Sequence, residues 1–120
     1  MAKKTLVIGA STDPSRYAFL AANRLLNHGH EIELIGRDQG KIGGNEIQTT
    51  KPVLKDIDTV TLYISPKHQP EYYDYIVGLQ PKRVIFNPGT ENPEFETMLE
   101  QNQIEPLEAC TLVMLSTGQY

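Results

Sequence analysis

The chain has few of the residues that cross-link a protein or bind metal ions. It contains one cysteine, three histidines and no tryptophan among its 120 residues. The single cysteine, Cys110, has no partner for an intramolecular disulfide. His28, His30 and His68 show no metal-ligand spacing with Cys110 or with a pair of carboxylates. We therefore expect neither a disulfide framework nor a metal site.

The chain also lacks an excess of positive charge and long hydrophobic runs. Eleven Lys and Arg residues against fifteen Asp and Glu residues leave a formal net charge of −4, so nucleic acid and anionic membranes are poor partners. After Lys4 only six apolar or small residues follow, too few for a signal peptide or a membrane span. We expect a cytoplasmic protein that forms one domain over residues 1–120, with a modest core.

Short apolar runs alternate with segments of helical periodicity. The runs predict strands at residues 5–8, 31–35, 60–64, 83–86 and 104–107. Helices are predicted from near Ser15 to the cap at Gly29, over 70–79 and over 93–101, and the apolar tail at 109–115 is compatible with another. Residues 37–51 form a polar, glycine-rich connection. The alternation predicts a Rossmann-like α/β fold, with a doubly wound parallel sheet of five strands in three αβα layers.

The loop after the first strand, residues 9–16, lies where doubly wound sheets bind their ligands. Gly9 lets the backbone turn close to a ligand, Ser11 and Ser15 offer hydroxyls, and the start of the helix offers unpaired amides. Arg16 adds a cation. We predict a phosphate site, the alternative being a turn that only caps the helix. Because positions 11 and 14 are not glycine, the loop does not fit the Gly-x-Gly-x-x-Gly fingerprint of a standard NAD site.

Three more turns follow the later strands and converge on the same edge of the predicted sheet. Each is ordinary by itself, since glycine, proline, asparagine and serine are common in connections. Their joint position extends the predicted site. The predicted cofactor-binding residues are Gly9, Ala10, Ser11, Asp13, Ser15, Arg16, Gly36, Arg37, Ser65, Pro66, Lys67, Asn87, Pro88 and Gly89.

These segments resemble the CoA-binding domain family, small stand-alone relatives of the N-terminal domain of the succinyl-CoA synthetase α subunit. Residues 7–16 (VIGASTDPSR) are similar to the opening signature of that family, and residues 36–44, 63–66 and 87–89 stand where it has further binding turns. The resemblance implies that the first loop holds phosphates of coenzyme A or an acyl-CoA and that the other turns line the rest of the groove. The chain departs from the family near the end of the second strand, where residues 34–37 (LIGR) contain neither its Pro nor its Asn, and again after Cys110, where residues 111–115 (TLVML) replace its charged cluster.

No catalytic constellation accompanies this predicted site. His68, Asp13 and Asp38 lie near it, but each has an ordinary explanation as a loop or turn residue. The resemblance implies binding of a small nucleotide cofactor, as a carrier, sensor or regulatory module without catalysis of its own.

Two alternatives remain. An NADP-dependent reductase would explain Arg37 after the second strand, although Pro66 interrupts the only Tyr-x-x-x-Lys spacing, Tyr63 to Lys67. A regulatory interaction module with a degenerate site would use Tyr72, Tyr73 and Tyr75 as a partner face. No protein partner is identified by the sequence.

Overall fold

The computed structural model describes residues 2–120. Its strands are β1 (Thr5–Ile8), β2 (Ile32–Ile35), β3 (Lys41–Ile42), β4 (Asn45–Gln48), β5 (Thr59–Leu62), β6 (Arg83–Phe86) and β7 (Glu105–Glu108). Its α-helices are α1 (Tyr17–Asn27), α2 (Tyr73–Leu79), α3 (Pro93–Gln101) and α4 (Thr111–Ser116), and two short 3₁₀ helices cover Pro66–His68 and Pro70–Tyr72.

The strands form one sheet in the order β3-β4-β2-β1-β5-β6-β7. Every neighbouring pair is parallel except β3 and β4, which form an antiparallel hairpin. The predicted doubly wound α/β fold is confirmed, but the count of five strands was too low. The additional hairpin lies in the segment predicted as a connection, where the family resemblance implies a short strand at Glu46 and Ile47 but no pairing with residues 41–42. Its apolar residues, Ile42 and Ile47, are too sparse to show a period of two, although Gly43 and Gly44 between the strands are a typical hairpin turn.

The core lies on both faces of the sheet because side chains alternate along each strand. Leu6 and Ile8 of β1 pack with helices α2 and α3 on one face. Val7, between them, packs with α1 and α4 on the other. All three side chains are fully buried, which explains why β1 is a continuous apolar run and confirms the three-layer arrangement.

The chain crosses from β4 to β5 through residues 49–58, which contain no helix; we call this segment the strap. It passes β2 and β1 in the sheet order before it enters β5. Leu54 and Ile57 of the strap pack into the core on the α2 and α3 face. The hydroxyl of Tyr75 donates a hydrogen bond of 2.6 Å to the carbonyl of Pro52. The strap is thereby fixed to helix α2.

Several element ends differ from their predicted positions. Helix α1 begins at Tyr17 and not near Ser15, because Asp13 accepts hydrogen bonds from the amides of Ser15 and Arg16 and holds these residues in a turn. The predicted helix over 70–79 divides into a 3₁₀ turn and α2. The apolar tail is helical, as α4. No helix in residues 2–120 has the length and hydropathy needed to cross a membrane.

Candidate functional site

A groove opens at the carboxyl ends of β1, β2 and β5, where the strand order reverses. The chain leaves β1 toward α1 on one face and leaves β5 toward α2 on the other, so the two connections part above the sheet. The groove has a volume of about 560 Å³, within the usual range for ligand sites. We call it the edge groove. It is lined by Gly9, Ala10, Ser11, Thr12, Arg16, Gly36, Arg37, Asp38, Thr49, Tyr63, Ile64, Ser65, His68, Glu71 and Tyr72.

Two glycines let three loops meet at the base of the edge groove. Gly9 has a φ of +94°, and a Cβ there would lie 2.8 Å from the carbonyl oxygen of Tyr63. A Cβ on Gly36 would lie 2.2 Å from the carbonyl oxygen of Ala10. Any larger residue at either position would force the loops apart.

The backbone amides of the first loop differ in their availability to a ligand. The amides of Gly9 and Ala10 both donate to the carbonyl of Ile35 at 2.9 Å. These two hydrogen bonds join β1 to β2, so neither amide is free to hold a phosphate. The amides of Ser11 and Thr12 have no hydrogen-bond acceptor within residues 2–120. The free backbone donors in this part of the loop are therefore those of Ser11, which belongs to the predicted site, and Thr12, which does not.

Charged side chains of both signs surround the edge groove. Arg16 and Arg37 bring guanidinium groups from the loops after β1 and β2, and Asp38 and Glu71 bring carboxylates. Arg16 Nε also lies 3.9 Å from Asp13 Oδ2 on the exposed surface. The lining residues thus carry two positive and two negative charges, and Asp13 adds a third carboxylate beside Arg16.

Asp13 and Ser15 bond to each other outside the groove lining. Asp13 Oδ1 accepts hydrogen bonds from the Ser15 amide at 2.9 Å and from the Ser15 hydroxyl at 2.7 Å. The amide and then the hydroxyl of Ser15 hold the pKa of Asp13 below its ordinary value. These two predicted site residues shape the turn that leads into α1.

Asn87, another predicted site residue, is buried in the sheet edge. Its side-chain amide donates to Thr61 Oγ1 at 2.7 Å and to the carbonyl of Leu62 at 2.8 Å. Its Oδ1 accepts the amide of Thr111 at 2.9 Å. With all these bonds made inside the protein, Asn87 ties β5 and β6 to α4 and has no free polar atom to offer a ligand.

Seven of the fourteen predicted residues line the edge groove, and seven do not. Those outside the lining are Asp13, Ser15, Pro66, Lys67, Asn87, Pro88 and Gly89. Pro66 and Lys67 lie on the exposed side of a 3₁₀ turn, and Pro88 and Gly89 lie in the exposed turn after β6. The turn after β6 was expected to converge with the others. It does not reach the groove because β5 stands between β6 and β1.

The lining includes eight residues outside the predicted set: Thr12, Asp38, Thr49, Tyr63, Ile64, His68, Glu71 and Tyr72. Thr49 follows β4, a strand that the sequence pattern did not predict. Glu71 and Tyr72 lie on the 3₁₀ turn that was predicted as part of a helix. For Asp38 and His68 the sequence does give an indication, because both follow closely on predicted strand ends at this edge of the sheet.

A buried polar network holds the wall of the groove that follows β5. Gln69 is fully buried, and its amide donates to the carbonyls of Ile64 at 3.1 Å and Thr90 at 2.8 Å. Asn92 Nδ2 donates to Gln69 Oε1 at 2.9 Å and to the hydroxyl of Tyr73 at 2.8 Å. These hydrogen bonds fix the segment that carries Ser65 and His68 on its buried side.

Tyr63 has the one buried side-chain polar atom without a hydrogen-bond partner in the described chain, its hydroxyl. Burial raises the pKa of this hydroxyl above its ordinary value. The Lys67 side chain lies on the exposed surface. Tyr63 and Lys67 thus provide no proton-transfer pair of the kind that a short-chain reductase needs.

Comparison with known proteins identifies a family. The family model described as "CoA binding domain" matches residues 3–116. An uncharacterized protein of known crystal structure is 54% identical and superposes with a TM-score of 0.98, the match covering 100% of this chain and 99% of that one. No protein with a curated description matches.

Two more distant structures show the fold alone. A Thermus thermophilus protein described as cell-free ID.343 is 24% identical with a TM-score of 0.89, the match covering 99% of this chain and 91% of that chain. A hypothetical protein from Pyrococcus horikoshii OT3 is 23% identical with a TM-score of 0.88, over 97% of this chain and 83% of that chain.

Proposed function

Since this chain belongs to the CoA binding domain family, we propose that it binds coenzyme A or an acyl-CoA in the edge groove. One observation carries the proposal: Arg16, Arg37 and the free amides of Ser11 and Thr12 meet at the topological switch point of the sheet. Guanidinium groups and unpaired backbone amides are the donors that proteins use for phosphate oxygens.

The rest of the edge groove suits the other parts of the same ligand. Tyr63, Ile64 and Tyr72 give the groove apolar and aromatic surface, against which an adenine ring or a pantetheine arm can pack. The close approach of the loops at Gly9 and Gly36 leaves no side chain at the base of the groove. Phosphates on the Ser11 side and apolar parts on the Tyr72 side are the arrangement that this chemistry favours.

We further propose that the protein acts as a carrier, sensor or regulatory module and not as an enzyme. Burial raises the pKa of the Tyr63 hydroxyl further above neutral, so this group is a poorer proton donor or acceptor than an exposed tyrosine. Within residues 2–120 no group of three or more His, Cys, Asp or Glu residues is placed to hold a metal ion. Binding alone accounts for the groove's donors and walls.

A thermal-shift panel with CoA, acetyl-CoA, NADP, NAD and ADP tests the proposed ligand. A ligand present at 100 times its dissociation constant adds about 2.7 kcal/mol to stability, which for a chain of this length raises Tm by roughly 8–13 °C. We expect CoA or acetyl-CoA to give the largest rise. Equal indifference to all five compounds would refute nucleotide binding.

One specific observation favours the alternative that the edge groove binds NADP, namely the position of Arg37 in the loop after β2. In dinucleotide-binding folds an arginine there accommodates the ribose 2′-phosphate. The same thermal-shift panel distinguishes the two ligands, since a larger rise in Tm with NADP than with CoA would favour the dinucleotide.

The interaction-module alternative is weakened by the burial of its tyrosines. Tyr73 is 9% exposed, and its ring stacks on Phe95 with centroids 4.3 Å apart. Tyr72 and Tyr75 are partly buried against the same core. Their burial favours a role in stabilising the fold over a role as an exposed partner face.

Replacing single cations tests the position of the site. We expect Arg37→Ala to weaken CoA binding about tenfold, because a charge-assisted hydrogen bond contributes roughly 1.5 kcal/mol or more. Lys67→Ala is the matched control, as it removes one positive charge from an exposed residue that the edge groove does not include. Calorimetric titration measures both. Equal losses in the two variants would place the phosphates outside the groove.

A further inference from the structure

The strap and the wall of the edge groove are joined by one cation. Lys51 Nζ of the strap lies 3.6 Å from Glu71 Oε2 and 5.0 Å from the centre of the Tyr72 ring. Glu71 and Tyr72 both line the edge groove, whereas Lys51 does not. Lys51 therefore contacts two groove residues from outside.

The charge of Glu71 is a liability for the proposed ligand. A CoA molecule carries several phosphate charges, and a carboxylate in the same groove repels them. Arg16 is already paired with Asp13, which lies outside the lining, so the remaining charges of the lining are those of Arg37, Asp38 and Glu71. An unmasked Glu71 would therefore tip the local balance toward negative charge. Its pairing with Lys51 removes that excess.

We propose that Lys51 is a positioning residue of the edge groove, one that masks the charge of Glu71 and thereby permits a polyanionic ligand to bind. This inference rests on the proposed function, since it needs a polyanion as the ligand. The ammonium group of Lys51 also lies over the Tyr72 ring, which is a favourable contact for a cation. The same side chain therefore masks the charge of Glu71 and helps to hold Tyr72 in the wall of the groove.

The pair can be tested first without any ligand. The variants Lys51→Met, Glu71→Gln and the double variant form a cycle that isolates the interaction between the two side chains. Both side chains are partly exposed, at 39% and 61%. We accordingly expect a coupling that corresponds to a Tm change of about 1–3 °C. A cycle that closes with no coupling would show that the pair does not form in solution and would overturn the inference.

The same variants are then titrated with CoA by calorimetry at low salt. We expect Lys51→Met to bind about three- to fivefold more weakly than the wild type, because an uncompensated carboxylate within about one Debye length of a polyanion repels it on this scale. Glu71→Gln should bind at least as tightly as the wild type. The double variant has the same net charge as the wild type and should return to within twofold of it. Raising the salt to about 0.5 M should reduce the loss in Lys51→Met.

Lys55→Met supplies the matched control, because Lys55 is an exposed cation of the same strap whose side chain makes no ion pair in the described chain. Its affinity for CoA should stay within twofold of the wild type. A double variant as weak as Lys51→Met would refute charge masking, since it would mean that Lys51 contacts the ligand or only holds the strap. Unchanged affinity in Lys51→Met would refute it as well. A wild-type protein that binds no CoA would instead refute the proposed function and, with it, the ligand that this inference requires.

Discussion

Gly36→Ala is the sharpest test of how the edge groove is assembled. Gly36 directly follows β2, and its amide donates to the carbonyl of Gln48 at 2.9 Å. A Cβ on Gly36 would lie 2.2 Å from the carbonyl oxygen of Ala10, whereas Cβ contacts under 3.0 Å essentially never occur. The two backbones must then separate by about 0.8 Å. Because hydrogen bonds fix the chain segments of both Gly36 and Ala10, neither segment can move without weakening these bonds.

The size of the effect follows from three contributions. Overpacking of this kind costs about 1–3 kcal/mol, and weakening one backbone hydrogen bond costs about 1 kcal/mol. The loss of unfolded-state freedom on replacing glycine returns about 0.4–1 kcal/mol. The sum is a destabilisation of about 1–3.6 kcal/mol, or a fall in Tm of roughly 4–14 °C for a chain of 120 residues. Thermal unfolding followed by circular dichroism measures it.

Gly78→Ala is the matched control for this substitution. Gly78 lies in helix α2, and a Cβ there would meet no atom within 4 Å. The same change of residue type should stabilise the protein by about 0.5–1 kcal/mol. A Gly36→Ala variant whose Tm stays within 2 °C of the wild type, on the order of the scatter between exposed substitutions, would show that the loops are not in contact as described.

Two further substitutions test the interior and the acidic surface. Asn87→Ala should lower the free energy of unfolding by about 2–4 kcal/mol, because it leaves the buried amide of Thr111 without an acceptor; urea unfolding measures this, and a loss under about 0.5 kcal/mol would contradict it. Burial and then a hydrogen bond with Glu108 raise the pKa of Glu96. A raised folded-state pKa contributes stability that is present below the unfolded-state pKa and is lost as the pH rises through the folded-state value. Glu108→Gln should therefore lower the pKa of Glu96, as followed by NMR titration, and reduce the stability that this group contributes at low pH. An unchanged pKa of Glu96 in this variant would contradict the pairing of the two carboxyl groups.

Buried strands with uniform patterns were predictable from the sequence. Val84, Ile85 and Phe86 form a continuous apolar run, and the strand predicted at 83–86 is β6 at the same bounds. Helix α3 has a proline at its first position and Asn92 as its N-cap, whose side chain accepts the amide of Phe95 at 3.1 Å. Its predicted bounds are also correct. In these elements local chemistry and burial favour the same structure.

The edge hairpin and the strap were not predictable in the same way. Strand β3 has two residues and owes its position to pairing with β4, a contact that no periodicity in the sequence records. The strap has no regular hydrogen bonding, and its place is set by the packing of Leu54 and Ile57. Such segments acquire their structure from the rest of the fold.

The candidate site was predictable where it follows a predicted strand directly. The residues after β1 and β2 line the edge groove as the topology rule requires. The rule does not say how far each turn reaches, and so Asn87 was assigned to the site although its side chain is consumed by internal hydrogen bonds. Glu71 and Tyr72 reach the groove from a turn that is distant from any strand end. Only the three-dimensional arrangement shows this.

The two outer strands of the sheet have a consequence for assembly. On one side β3 offers two residues before the turn at Gly43. On the other side, β7 bonds to β6 through the odd-numbered residues, with Glu105 donating to Lys82 and Ala109 to Phe86. The backbone groups of residue 106 therefore point to the open edge of the sheet, and because this residue is Pro106 it has no amide hydrogen to donate there. Both borders discourage a foreign strand from extending the sheet. Copies of this protein can thus be crowded together with little tendency to join edge to edge.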